Sequence, residues 1–463
     1  MQAVKSGIFY YAPAVILGLG AFMATFDVTA VSLALPEIAK SLALDGAQYV
    51  WVANAYNLAF AVMLIAAGAI ADRHGHRRAL LLGTATFVAA SMICGFALSF
   101  EILILGRVMQ GIAAAFMVCG GYALVGSQYP DKESRVQAFG IIGTIAGSAM
   151  AVGPGLGGLI TAHFGWHIVF LVKVPFCIAI LAGTLLLVSD PNEPRREARI
   201  DIRGSIVFGM LLFTMTWLLL NGPVFPGAEI ALSFWIGAIL LLFALFVRIE
   251  LGQPHPAVDL SLFANTIFAG LALVPLILAI CYWSLVLFIP QFLTESLGLP
   301  LEKVTYLMLC FTVPMFLVPM LSVGIAKTWR QSSFFCVGLI LVGIGCLGLS
   351  ASAMASDPRI AILAMIVAGS GAAAIQTQVS GALIASAPIE KAGSVSAVMT
   401  VLRQGGFAIG VAMLSAILTL QDTMPALPFP PFAGLFLICA AVAGIGAAIT
   451  YLLLQHRESR NQS

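Results

Sequence analysis

The chain has 463 residues, 61% of them hydrophobic and 9% charged, with a formal net charge of +2. Soluble domains are about one quarter charged, so this composition excludes a soluble globular protein and points to an integral membrane one. The small net charge says little about partners; a lipid bilayer is the expected solvent, and no nucleic acid is expected.

Runs of about 20 apolar residues suit helices that cross a hydrocarbon core, whereas barrel strands are shorter and alternate. Fourteen such runs follow one another: 13–36, 48–71, 79–98, 102–127, 136–161, 168–188, 204–222, 229–249, 266–292, 303–325, 333–352, 359–387, 393–420 and 432–455. The expected fold is an all-α membrane protein of 14 transmembrane helices. With both termini cytoplasmic, sixteen of the 22 Lys and Arg fall in inner segments, and only Lys40, Lys303 and Arg359 fall outside. That bias is what positive-inside orientation predicts. The first run, followed by Pro36-Glu37, reads as a retained helix rather than a signal peptide.

The remaining three cations, Arg107, Lys173 and Arg403, lie inside apolar runs together with Asp27. Each charge at mid-membrane costs about 2.5 to 3.5 kcal/mol, so such residues pair or line a wet pathway. In chain order, Asp27 sits on the first run, nine residues before Pro36, the expected outer end of that helix. Asn54 and Asn57 follow on the second. The loop after it, Gly68 to Arg78, reads GAIADRHGHRR. There Gly68 and Gly75 permit close helix approach and a sharp turn, and Asp72 can pair with Arg73, Arg77 or a neighbouring cation, while Arg78 adds inside charge. Arg107 and Gln110 share the fourth run, and the fifth carries Gly153, Pro154, Gly157 and Gly158, a flat face with a local helix break.

The stretch 189–205 is the richest in polar residues, and a second polar stretch covers 248–265. They divide the chain into a six-helix bundle (1–189), a linker with two inserted helices (190–260) and a second six-helix bundle with a short tail (261–463). On the second bundle Tyr282, Trp283 and Gln376 are candidates for an adaptable pocket, with packing as the competing role. Arg403, about twelve residues into its run, is too deep to snorkel comfortably. The eight Cys are spaced singly and read as packing residues. His163 and His167 flank Gly165 and need not share a face, so no metal or cofactor is expected.

Several of these segments resemble the major facilitator superfamily, and in particular its fourteen-helix drug:proton antiporters. The loop Gly68 to Arg78 is similar to the superfamily's cytoplasmic signature, with His76 where a basic residue is usual. Phe26-Asp27-Val28-Thr29 with Ala34-Leu35-Pro36 resembles the antiporters' acidic first-helix motif. Leu105 to Gly111 resembles the buried-arginine motif, and Gly153 to Gly158 the antiporter motif, with Ala149 in place of its leading glycine. Later matches are Asp201 to Gly204, Pro256 to Leu260, and Arg403 to Gly406 with Gly410. Near the sixth helix the family reads Asn-Val-Pro where this chain has Lys173-Val174-Pro175.

The resemblance implies a proton-coupled exporter of amphipathic organic compounds in a bacterial plasma membrane, working by alternating access between two bundles. Asp27 would carry the proton and Arg107 would favour its release; a static ion pair is the competing role. Lys173 would pair with Asp27, carry a proton, attract an anionic substrate, or snorkel outward. The expected partners are a small-molecule substrate, protons and lipid; nothing assigns a periplasmic adaptor. A dedicated exporter or importer of one metabolite is the nearest rival, and the helix 5 motif argues against import. An enzyme would need clustered acid, base and nucleophile, and a sensor an appended soluble domain.

Overall fold

The structure is a computed structural model that describes residues 8–129, 131–189, 202–221, 228–253, 259–319, 328–387, 392–423 and 430–458. Among the described residues there is no strand, and the chain separates into two compact units, Met1–Ile202 and Arg203–Ser463.

The first unit holds α1 (Ala12–Ser41), α2 (Gly46–His74), α3 (His76–Gly95), α4 (Phe100–Gln128), α5 (Lys132–Phe164), α6 (Trp166–Leu171) and α7 (Lys173–Leu187). Polar caps close the apolar runs where the first backbone N–H groups lack helical partners. Asp45 accepts from Gln48 N at 2.7 Å while Gln48 Oε1 accepts from Asp45 N at 3.1 Å, a reciprocal capping box. Ser99 caps α4 and Asp131 caps α5. Gly75 (φ 105°) and Gly165 (φ 82°) make the tight turns after α2 and α5, in backbone conformations that L side chains rarely adopt.

Two helices of this unit are bent. In α5 the bend is 41° between Met150 and Val152. Residue 150 lies four before Pro154, whose ring clashes with that carbonyl. In α2 the bend is 51° between Leu64 and Ala66, with no proline. There the Cys119 thiol donates to Leu64 O at 3.3 Å, a side chain intruding on the backbone ladder. Pro36, by contrast, does not end α1, which runs on to Ser41. Asp27 therefore lies fourteen residues from the helix end rather than nine, or about 21 Å at 1.5 Å per residue, close to the middle of α1.

The second unit begins with α8 (Ile202–Asn221) and α9 (Ala228–Gly252). The expected run 266–292 becomes a continuous helical path of α10 (Thr266–Leu278), a π turn (Ala279–Trp283), α11 (Leu285–Gln291) and a second π turn (Phe292–Ser296). Then come α12 (Leu301–Thr312), extended helically toward Pro319, and the helices Gln331–Ala355, Pro358–Ala385, Ala392–Thr423 and Pro431–Glu458. The described cysteines are free thiols, with Cys439 touching Cys281 and Cys346 in this unit's core.

Eleven described helices are long and apolar enough to span a bilayer, thirteen when each bent helix counts as one span, and Ile206–Leu218 is a shorter apolar helix. The chain is a multi-pass, all-α membrane protein. Outward-facing Leu82, Leu186, Phe234, Leu241 and Leu363, each more than 60% exposed, are normal on a surface whose solvent is lipid.

Candidate functional site

Asp27, Arg107 and Lys173 meet inside the first unit, each 1% exposed or less. Asp27 lies near the centre of α1, Arg107 in the second turn of α4, and Lys173 opens α7 just after the break at Val172. Arg107 Nη1 donates to one Asp27 oxygen, Oδ2, and Lys173 Nζ donates to the other, Oδ1. Lys173 thus faces inward and does not snorkel: its ammonium is fully buried and taken up by the carboxylate.

The two cations differ in what else holds them. Arg107 Nε donates to Val52 O at 3.1 Å and Nη1 to Gln110 Oε1 at 3.0 Å. Gln110 in turn donates to Ser91 Oγ at 2.9 Å, and the guanidinium lies 4.8 Å from the Tyr56 ring centroid. Tyr56 is itself fixed by donating to Ala24 O at 2.9 Å. Lys173 Nζ instead faces the rings of Phe170, at 4.5 Å, and Phe87, at 5.9 Å. Ring faces attract a cation by about 0.5 to 2 kcal/mol, less than a carboxylate at contact in a dry interior.

Two glycines of α5 pack against α1 just after this carboxylate. A Cβ on Gly157 would lie 2.5 Å from Ala30 O, and one on Gly153 would lie 1.9 Å from Thr29 Oγ1. Only glycines let α5 press directly on the turn of α1 that follows Asp27. Pro154 and Gly158 are buried beside them. Gly111 does the same between α4 and α2, where a Cβ would meet Tyr56 O at 2.3 Å.

Other expected residues divide. Gln110 joins the charged cluster, and Asn54 is buried on α2. Asn57 is also buried but donates to Ala53 O of its own helix at 3.0 Å. In the turn between α2 and α3 the partner of Asp72 is His76, at 3.5 Å, rather than Arg73 or Arg77. Arg77 donates to Leu185 O at 2.9 Å, tying the start of α3 to the end of α7, while Arg73 and Arg78 are exposed. Gly75 makes the expected turn. Gly68 does not serve close approach, because a Cβ there would have an ordinary 3.9 Å contact with Cys119 Sγ.

In the second unit Tyr282 stacks on Phe311 with centroids 4.3 Å apart and donates to Phe311 O at 2.7 Å. Among the described residues, Trp283 Nε1 and Gln376 Oε1 are buried atoms with no hydrogen-bond partner. Arg403 is half-buried on a helix that presses through Gly406 and Gly410 onto α10 and its π turn. His163 bonds its own helix and His167 stacks on Trp166, so the pair forms no site. No cluster of metal-ligating side chains occurs among the described residues. Sequence reasoning missed Ser91, Val52 O, Tyr56, Phe87 and Phe170, whose uncharged or backbone groups carry no signal comparable to a buried charge.

A multi-pass helical chain that buries a carboxylate with two cations among its helices has the build of a transporter. The family model of the Major Facilitator Superfamily matches residues 17–411 and again 271–463, and the chain belongs to that superfamily. It is 30% identical over 406 residues to the multidrug resistance protein Stp of Mycobacterium tuberculosis, covering 87% of this chain and 74% of that one. The tetracenomycin C resistance and export protein of Streptomyces glaucescens is 27% identical with the same shares covered. The methylenomycin A resistance protein of Bacillus subtilis is 31% identical over 61% of this chain and 60% of its own. Among solved structures, the POT family transporter PepTSo superposes with a TM-score of 0.73 at 14% identity, over 98% of this chain and 99% of that one. A bacterial homologue of the lysosomal transporter Spinster gives 0.64 at 16% identity, over 97% and 98%. These two likenesses define the fold alone.

Proposed function

We propose that this chain exports amphipathic organic compounds, drugs among them, in exchange for protons across a bacterial plasma membrane. Its fourteen helices, with Ile206–Leu218 part of the seventh, would work by alternating access between two bundles, both termini in the cytoplasm. The names of the similar proteins support drug export. The observation that carries proton coupling is Asp27, a carboxylate wholly out of water and held by two cations of unequal fixity.

Protonating Asp27 removes the negative charge that both cations share. Arg107 keeps Val52 O and Gln110 as acceptors and so stays in place. Among the described residues Lys173 keeps ring faces and no other hydrogen-bond acceptor. Both ion pairs to α1 thereby weaken, but Arg107 stays anchored to α2 and α4 while Lys173 is released, giving one packed unit two arrangements that differ by one proton. Each charge moved across 100 mV supplies about 2.3 kcal/mol, so a proton gradient can drive such a cycle without nucleotide. The relatives named for a single antibiotic favour a second reading, an exporter dedicated to one compound on the same machinery.

The test is accumulation of lipophilic cations, anions and neutral dyes in efflux-deficient bacteria expressing wild type or Asp27→Asn at matched levels, with and without a protonophore. Lowered accumulation that both the variant and the protonophore abolish is the expected result. Export that persists in Asp27→Asn makes the trio a static brace. A panel in which nothing moves leaves the dedicated exporter.

A further inference from the structure

We infer that Lys173 is a built-in counter-ion that occupies the carboxylate position an organic cation would need, so that the substrates are amphipathic compounds without positive charge. The inference rests on the exporter reading above and concerns which substrates the same site accepts.

Both Asp27 oxygens are committed, Oδ2 to Arg107 and Oδ1 to Lys173. The trio, all within 1% of complete burial, counts two cations against one carboxylate. An incoming organic cation therefore meets a net positive cluster in a medium that screens little, and no carboxylate oxygen is open to it. To reach Asp27 it must displace an ammonium. Arg107 has two neutral acceptors to fall back on, but it is packed over Tyr56 and braced through Gln110 to Ser91. Lys173, placed among Phe170, Phe87 and Asp27, would be left buried against rings with no acceptor.

The ammonium on its four-carbon tether already sits in an aromatic-and-carboxylate box of the kind that recognises alkylammonium ions. Because the tether makes this contact intramolecular, a free cation competes at a disadvantage set by effective concentration. An amide at position 173, as in Lys173→Asn, would leave Asp27 and Arg107 as a balanced pair with one carboxylate oxygen open between two phenyl rings. Discrimination against cations thus rests on the repulsive charge of one side chain.

The experiment is equilibrium binding to purified full-length protein in detergent, without a gradient, using tetraphenylphosphonium and the uncharged triphenylphosphine oxide. Wild type, Lys173→Asn, Lys173→Met and Lys173→Arg are compared after each is shown to melt cooperatively. The expected result is at least a tenfold gain in tetraphenylphosphonium affinity in Lys173→Asn and Lys173→Met, less than threefold change for the oxide, and wild-type behaviour in Lys173→Arg. Methionine fills the space the lysine stem leaves, so a gain there reports charge rather than room. The inference is overturned if wild type already binds the phosphonium as tightly as the oxide, if removing the charge changes neither or raises both alike, or if no form binds the phosphonium saturably. Because no flux is read, failure here leaves the exporter reading standing, and absence of proton-driven flux leaves this result standing.

Discussion

In the first unit, α1, α4 and α7 each contribute one ionised side chain to a single buried point, and neighbouring carbonyls, an amide and a hydroxyl complete it. In the second unit the described buried polar tips around the π turn are uncharged: a phenol bonded to a backbone carbonyl, an indole N–H and an amide oxygen. The first arrangement is costly to disturb. The second is cheap to rearrange, and π turns and unpaired polar atoms are where helices commonly host ligands. On the function proposed above, the first unit would couple export to protons and filter substrate charge at Lys173, and the second would supply an adaptable apolar surface.

The sharpest way to break that contrast is to uncouple the trio. Asp27→Ala leaves two buried cations without a carboxylate, and the loss is expected to be about 3 to 5 kcal/mol, read as a lower melting temperature in detergent. Adding Lys173→Met to Asp27→Ala should restore part of it, and this non-additivity in a double-mutant cycle measures the pair directly. If the single change costs under about 1 kcal/mol, the trio is not a buried ion cluster at all.

Next in size is Gly157→Ala, whose new methyl would collide with the α1 backbone at Ala30. Overpacking of this kind costs about 1 to 3 kcal/mol. Export should fall although every charged residue is intact, which a flux assay at matched expression would show; unchanged export would detach the glycine face from the carboxylate it adjoins. Tyr282→Phe removes one hydrogen bond to Phe311 O and keeps the stack. Its expected cost is about 1 kcal/mol, with proton-driven export retained and the substrate profile altered. The smallest effect is expected for Trp283→Phe, where the lost indole N–H has no partner among the described residues to disappoint. Stability should move by no more than about 0.5 kcal/mol, and a change in compound preference alone would tie the second unit to recognition.

The helices and the identity of the charged residues were legible because burying a charge in lipid is too costly to occur without reason. Their partners were less so. Lys173 read equally well as a snorkelling residue, since two helical turns of depth allow either outcome and only packing decides. Pro36 misplaced the end of α1, because in a segment shielded from water a helix that loses one hydrogen bond still gains by satisfying its others. The bend in α2 was invisible, as the segment has no proline and the thiol that bonds its Leu64 carbonyl sits on another helix. Gly153 and Gly157 were marked by their spacing, but that they clasp the turn after Asp27 is tertiary information. Asp72 found His76 instead of an arginine because the turn at Gly75 brings the first residue of α3 beside the end of α2, while Arg77 is drawn to the carbonyls ending α7.

Lysine and asparagine codons differ only in their third base. The residue that opens α7 therefore stands one transversion away from an amide, with the rest of the cluster already in place to receive it. A population under selection by a cationic antiseptic would need neither a new pocket nor a new helix contact to change what it expels; it would need the loss of one ammonium group.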